Sequence, residues 1–567
     1  IYYLIKIVTE RFIFELGNTN RDKMPTDIIT AKNETTAVPV FHPCRWGDHI
    51  FTLRPLHQEI RGQMEQDVKE LTEVIKLQLL GSSDKPKEQL ALIDTVERLG
   101  VAYHLEKEID ETLQQLHATP HDQEDLYHVS LRFRILRQHG FQASSDVFKR
   151  FKDDEGSFKG DLRGILSLYE ATHVRIHEEI ILDEAAEFTT TYLKSVVNKL
   201  ISPLAEQVAH ALHQPLHKGI TAIEAKYHTC SYEKDPSHNK NLLRFAKLDF
   251  NLQQSLHQQE LIDVARWWKP IHAKIPYARD RSIEAYFWAL GTYYEPQYSS
   301  ARVILAKMIL IIQMMDDTYD AYGTFDSLSL LTQAINRWEY SCVDDLPEDI
   351  RCSYQAVLQT LDDFEQELAK QGTSFSVDYA RKQMKRNTKA WFQEAKWCHE
   401  KYIPTYDEYL KIALESMGHV VGTVGSYLGM GKTATKEAFE WISQNPMPKP
   451  VKASAIIFRL MNDVGGHKYE QSSRDHVASS VECYMKQHGI EDEKQAYEVL
   501  EKQIEDSWKD VNEALLRPYE VPKPCLDRPL NFARMANVMY KDRNDGYTHV
   551  TNTIMHKVVS VLVHPIP

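Results

Sequence analysis

From Leu53 to the C-terminus, apolar residues recur at steps of three and four, and runs that alternate with a period of two are hard to find. Such spacing lines one face of a 3.6-residue helix and does not suit half-buried strands. In the stretch Leu90 to Leu116, Leu92, Val96, Leu99, Tyr103 and Leu105 form one apolar stripe, with acids and bases elsewhere. Breakers such as Gly81-Ser-Ser-Asp-Lys-Pro, Gln214-Pro, Lys234-Asp-Pro-Ser, Asn445-Pro-Met-Pro and Val521-Pro-Lys-Pro read as the short polar connections of helical bundles. No fixed internal period appears, so a solenoid is excluded. The spacing predicts an all-α fold.

A chain of 567 residues exceeds one compact core and fits two domains. The richest mid-chain polar linker, Ser231 to Lys240, precedes a strong new helix expected over Leu242 to Leu256, and the boundary is drawn there. Four parts result: residues 1–23 as upstream or cloning sequence before Met24, 24–52 as a strand-like arm, 53–240 as a helical domain without chemistry, and 241–567 as the chemical domain. The opening run Ile1 to Val8 is short and interrupted by Lys6, so it cannot span a membrane, and an integral membrane protein is not expected. It also lacks the features of a signal or transit peptide. Seven scattered cysteines without a CxxC pair suit a reduced, cytoplasmic protein. A net charge of -14 without basic blocks excludes nucleic acid as a partner.

The chemistry-bearing residues lie in the second half. The apolar run Ile309 to Met315 ends in Asp316, Asp317 and Asp320. Asp316 and Asp320 are one turn apart, and Asp317 lies about 100° round the helix from Asp316, reaching the same site less directly. Carboxylates crowded at the end of an apolar helix repel one another unless a cation joins them, and hard oxygens at this spacing suit Mg²⁺. A solvated acidic terminus explains the motif equally well when it stands alone. Asn462, Gly466 and Glu470, at steps of four, line a second helical face able to hold a further Mg²⁺, and Arg459 one turn earlier offers a fork for phosphate. Arg279 and Arg281 precede an aromatic helix start containing Trp288, whereas Tyr540, Asp545 and Tyr547 supply further aromatic and acidic groups near the C-terminus.

Several Mg²⁺ ions, cationic phosphate grips and an aromatic apolar cavity together suit ionisation of an allylic diphosphate. Metals stabilise the leaving diphosphate, ring faces such as Trp288 and Tyr540 stabilise a carbocation, and water must be kept out.

With these residues in place the chain resembles the plant terpene synthases, in particular the angiosperm sesquiterpene cyclase branch. The resemblance runs from Phe41-His-Pro-Cys-Arg-Trp46 to Val563-His-Pro-Ile-Pro, through Leu168-Tyr-Glu-Ala171, Arg266-Trp-Trp-Lys269 and Ser480-Val-Glu-Cys-Tyr-Met-Lys486. It implies a non-catalytic N-terminal α-barrel-like domain and a C-terminal class I terpenoid synthase bundle. That bundle would bind farnesyl diphosphate with three Mg²⁺ ions, Mn²⁺ being able to substitute, in a cytoplasmic monomer. The implied metal ligands are Asp316, Asp317, Asp320, Asn462, Gly466 and Glu470. Substrate binding falls to Arg279, Arg281, Asp316, Asp320, Arg459 and Asn462, and the reaction to Arg279, Arg281, Arg459, Trp288, Tyr540, Asp545 and Tyr547. The segment Gly422 to Gly425 looks like the family's broken helix, and Gln471 to Ser480 like its lid. Two departures stand out: Gly466 replaces the usual Ser or Thr, which implies water at that ligand position, and Thr36 and Ala37 replace the tandem arginines of monoterpene cyclases. The alternatives are a monoterpene synthase using geranyl diphosphate, a chain-elongating prenyltransferase and a non-catalytic helical scaffold.

Overall fold

The computed structural model describes residues 44–82, 84–119, 124–473 and 477–567, with the side chains of all but 468–473. Residues 1–23 and most of the expected arm therefore lie outside the described residues. Among those described there are 22 α-helices and no strand. The N-terminal half contains α1 (Gln58–Gly81), α2 (Pro86–Arg98), α3 (Glu106–Ala118), α4 (Leu126–Gln138), α5 (Leu162–Thr172), α6 (Ile180–Val196), α7 (Leu204–His213) and α8 (Thr221–Glu233). Then follow α9 (Lys240–His272), α10 (Ser282–Thr292), α11 (Ser299–Asp317), α12 (Phe325–Arg337), α13 (Glu348–Ala369), α14 (Ser376–Glu400) and α15 (Tyr406–Ser416). The chain ends with α16 (His419–Leu428), α17 (Lys436–Ile442), α18 (Lys449–Ser473), α19 (Ser480–His488), α20 (Glu493–Ala514), α21 (Lys523–Met539) and α22 (Asn552–Leu562).

Local chemistry sets many of the boundaries. The side chains of Asp125, Asp161 and Thr551 accept backbone N–H groups in the first turns of α4, α5 and α22. Thr405 with Glu408, and Ser479 with Glu482, form reciprocal capping boxes at α15 and α19. The stripe expected over Leu90 to Leu116 is divided between α2 and α3. Gly100 turns the chain with φ +76, and a Cβ there would sit 2.7 Å from the Ala225 Cβ, so the close approach of α8 also requires glycine.

The expected strand-like arm is corrected where it is described: Gly47–Thr52 is a 3₁₀ turn. Trp46 and Ile50, four residues apart, both enter the large C-terminal apolar cluster, a helical rather than an alternating demand. The Trp46 indole donates to Glu284 Oε1 at 2.7 Å, fastening this segment to α10.

The helix expected over Leu242 to Leu256 continues to His272. Its first turns (Leu242, Phe245, Ala246) pack into a cluster of N-terminal helices, and its later turns (Leu261, Val264, Trp268) into the C-terminal cluster. Helix α11 is apolar along its length. The span Pro296–Tyr322 could cross a membrane by length and composition, but 67% of its most apolar window is buried within the bundle. It is a core helix, and its last turn brings the aspartates to the bundle's rim.

Candidate active site

Helix α11 stops at Asp317 and gives way to a π-turn, Thr318–Tyr322, closed by the Gly323 N–H on the Thr318 carbonyl at 2.8 Å. Asp320 is exposed, Asp316 half-buried and Asp317 buried. Burial, and then the neighbouring Asp320, push the Asp316 carboxyl up to about 8, against the pull of Arg279.

Asp317 is placed differently from its two partners. Its carboxylate accepts the Arg279 backbone N–H at 2.8 Å and the Gln313 amide at 3.3 Å, and it pairs with Arg279 Nε at 2.7 Å. It holds Arg279 in position, and Arg279 Nη2 extends to Asp316 at 3.1 Å. Burial works against the Arg279 charge, but Asp317 and Asp316 more than offset this and hold its pKa above the usual value.

Arg281 does not share this arrangement. Only 2% exposed, it donates from Nε to the Tyr547 carbonyl and from Nη2 to the Thr548 carbonyl, at 3.1 and 3.0 Å. Arg279 Nη1 donates to Thr548 Oγ1 at 3.0 Å. The Asp545 carboxylate accepts the Tyr547 and Thr548 N–H groups at 2.9 and 2.8 Å. These contacts tie the turn at 545–548 to the aspartate-rich rim, with Tyr547 Oη donating to Gln313 at 3.0 Å.

On the opposite rim α18 carries Arg459, Asn462 and Gly466; Glu470 lies on the same helix, but its side chain is outside the described residues. Residues 474–476 of the expected lid are also outside them. Arg459 Nη2 pairs with Asp463 at 2.6 Å, and its guanidinium stands 5.5 Å over the Tyr409 ring. Its Nε has no hydrogen-bond partner among the described residues. Asp463 was not singled out from sequence, yet it accepts the Tyr409 hydroxyl at 2.8 Å and the Ser480 N–H at 3.0 Å, fixing the start of α19.

Glu394 on α14 also escaped the sequence reading. It is buried, accepts the Ser416 hydroxyl at 2.7 Å, and is acted on by Asp320 from one rim and by Arg459 and Asp463 from the other. Burial pushes its carboxyl up to about 7, with Asp320 adding to the rise and Arg459 opposing it. A lone glutamate on an amphipathic helix offers no motif; only the packing exposes its position between the two rims.

Beneath the rims lies an aromatic wall. The Trp288 ring centroid is 4.9 Å from Phe458, 6.4 Å from Tyr540, 6.0 Å from Tyr547 and 6.3 Å from Phe532. Trp288 Nε1 is buried without a hydrogen-bond partner among the described residues. His419 packs 5.3 Å from Phe532, and burial brings its pKa down to about 3, leaving a neutral ring. The interruption expected at Gly422 to Gly425 lies upstream, at Met417–Gly418 between α15 and α16, where Gly418 has φ +76. A Cβ on Gly418 would come 2.5 Å from Ile312. Gly422 and Gly425 lie inside α16 and let it approach Phe532 and Met308.

The rims therefore bury and crowd carboxylates closely enough to raise the pKa of Asp316 and Glu394, beside a wall of ring faces. Desolvated oxygen donors crowded in this way fit divalent cations. Family models place a terpene synthase N-terminal domain at residues 45–212 and a terpene synthase metal-binding domain at 270–510. The chain belongs to the terpene synthase family. It is 48% identical to a probable sesquiterpene synthase of Santalum murrayanum over 93% of this chain and 95% of the relative. It is 47% identical to a (-)-germacrene D synthase of Vitis vinifera, with coverage of 93% and 95%. Among solved structures it matches isoprene synthase from Populus x canescens in complex with three Mg²⁺ ions and dimethylallyl-S-thiolodiphosphate. That match has a TM-score of 0.83 and 33% identity, covering 89% of this chain and 97% of that one. This terpene synthase is thus an all-α, metal-binding enzyme that takes a prenyl diphosphate as substrate.

Proposed function

We propose that this terpene synthase is a sesquiterpene synthase that ionises farnesyl diphosphate with three Mg²⁺ ions and cyclises the resulting cation to a sesquiterpene olefin or alcohol. The observation that carries this reading is the burial and crowding of Asp316, Asp320 and Glu394, which push Asp316 up to about 8 and Glu394 up to about 7, linked through Asp317, Gln313 and Tyr547 to the Trp288 ring cluster. The sesquiterpene scale is supported by relatives at 45–48% identity named sesquiterpene synthase, (-)-germacrene D synthase and valencene synthase.

Asp316 and Asp320 would hold cations on one rim, Asn462 and Glu470 on the other with water standing in at Gly466, and Glu394 would add its charge between them. Asp317 serves as the anchor of Arg279. When bound, Mg²⁺ supplies Lewis-acid stabilisation of the departing diphosphate. The Arg279 fork, which here pairs with Asp316, would with that of Arg459 grip the diphosphate. Arg281 and Asp545 position the 545–548 turn, which closes the chamber against water. Trp288, Phe458, Tyr540 and Tyr547 present ring faces to the migrating positive charge, and Tyr540 beside Asp545 handles the final proton. The domain division at 240, the cytoplasmic location, the monomeric state and use of Mn²⁺ in place of Mg²⁺ belong to the same proposal. None of the seven cysteines is joined in a disulfide among the described residues, which supports a reducing compartment.

Incubating the purified protein with farnesyl or geranyl diphosphate, with and without Mg²⁺, tests the reading by gas chromatography and mass spectrometry. Mg²⁺-dependent release of C15 hydrocarbons or alcohols is expected. Longer diphosphates, or efficient turnover of geranyl diphosphate alone, overturn it.

A further inference from the structure

The N-terminal half, whose described residues contribute nothing to the rims, contains a separate set of metal-ligating groups. Glu224 and His228 lie four residues apart on α8 and so share a face, and His210 on α7 projects against them. One ligand atom from each lies within 4.8 Å of the others. His210 Nε2 is 2.8 Å from Glu224 Oε2, and His228 Nε2 is 3.5 Å from the same oxygen.

Two observations set this group apart from an ordinary hydrogen-bonded cluster. First, Glu224 is only 4% exposed, its Oε1 has no hydrogen-bond partner among the described residues, and His228 Nε2 has none beyond its 3.5 Å approach to Glu224 Oε2. Buried polar atoms are almost always partnered, so two under-satisfied donor atoms in one three-residue cluster point to a missing ligand. Second, the group is held rigid. The His210 ring stacks on Tyr227 at 3.5 Å and 8°. A Cβ on Gly219 would stand 2.8 Å from the Glu224 side chain, so backbone presses directly on that carboxylate.

We propose that His210, Glu224 and His228 form a transition-metal site, with Zn²⁺ as the preferred ion. Two imidazoles and one carboxylate make a donor set that suits Zn²⁺ or Co²⁺ and not Mg²⁺, which the catalytic rims take through oxygen alone. Bonds of 2.0–2.1 Å in a tetrahedron separate donors by about 3.3 Å, and the two observed separations fall on either side of that value. His210 and His228 line a cavity of about 280 Å³, which gives the ion a route in and leaves its fourth position for water. Arg98, whose charge reaches His228, is itself paired with Asp94 at 2.9 Å. The ion would fasten α7 to α8 and stiffen the N-terminal half without entering the reaction.

The full chain is stripped of metal, saturated with Mg²⁺ to occupy the catalytic rims, and titrated with Co²⁺ and Zn²⁺. One tightly held equivalent is expected, with visible bands of tetrahedral Co²⁺ bleached by Zn²⁺ and a raised melting temperature. His228→Gln and Glu224→Gln abolish the bands, whereas Asp316→Ala leaves them intact. X-ray absorption on the wild-type Zn²⁺ form reports two imidazole nitrogens, so the assignment stays testable if the variants fold poorly. A wild-type protein that retains no such ion overturns the site, as do bands that survive in folded His228→Gln or vanish in Asp316→Ala.

Discussion

At the two ends of helix α11 an arginine faces carboxylates, and the ends differ in how the charges balance. At the N-terminal end Arg302 grips Glu260 through two bonds of 2.8 Å. Ser299 and Tyr286 donate to the same carboxylate at 2.6 and 2.7 Å, and Arg302 also donates to the Glu295 carbonyl. One positive charge meets one negative charge, and the bonding is filled. At the C-terminal end Arg279 faces both Asp316 and Asp317, with Asp320 and Glu394 close enough to raise the Asp316 pKa. Burial of an ion pair is common to both ends. Crowding of carboxylate against carboxylate is found at the second, and it marks where a cation belongs.

Breaking the balanced end should cost the most. Arg302→Met strands Glu260, and a loss of about 3–5 kcal/mol in stability is expected from denaturant unfolding, with turnover per folded molecule preserved. Equal losses of stability and turnover would erase the distinction between the ends. At the unbalanced end Asp316→Ala should lower kcat/KM by about 100-fold or more while the melting temperature holds or rises; steady-state kinetics and thermal melts on one preparation decide it.

Smaller effects sharpen the contrast. Gly466→Ser adds an oxygen where water is proposed, so half-saturation by Mg²⁺ should fall a few-fold, roughly one hydrogen bond's worth, with kcat nearly unchanged. A loss of activity would count against a simple vacancy. The last test uses pH. Between the unperturbed value of 3.8 and about 8, native Asp316 keeps a proton that the unfolded chain releases, so its contribution to stability falls as pH rises. In chelator, Asp316→Asn should therefore gain melting temperature over wild type as pH increases across that window, and added Mg²⁺ should remove the trend. A flat difference would show that Asp316 is not crowded.

The fold class was legible because helix periodicity is local and repeats over hundreds of residues. The aspartates after Met315 and the Asn462 face were legible because one helical turn brings their ligands together. Glu394 was hidden because its partners come from other helices. Asp463, beside the expected ligand Asn462, was passed over because its partners Tyr409 and Ser480 lie on other elements. The helix break was misplaced because two close glycines at 422 and 425 make a louder signal than Gly418, and a positive φ is not written in composition. Arg279 and Arg281 look equivalent in sequence; only the fold sends one to the aspartates and the other to the carbonyls of Tyr547 and Thr548.

Helix α9 has a further consequence. At about 1.5 Å per residue its 33 residues form a rod about 50 Å long, anchored at one end among the N-terminal helices and at the other in the C-terminal cluster. Glu260, the carboxylate that neutralises Arg302, rides on that rod. Shortening the protein at the linker before Lys240 would bare the rod's first turns and loosen the strut that holds the neutral end of α11. The half without reactive groups thereby braces the half that has them, and the two share one mechanical fate.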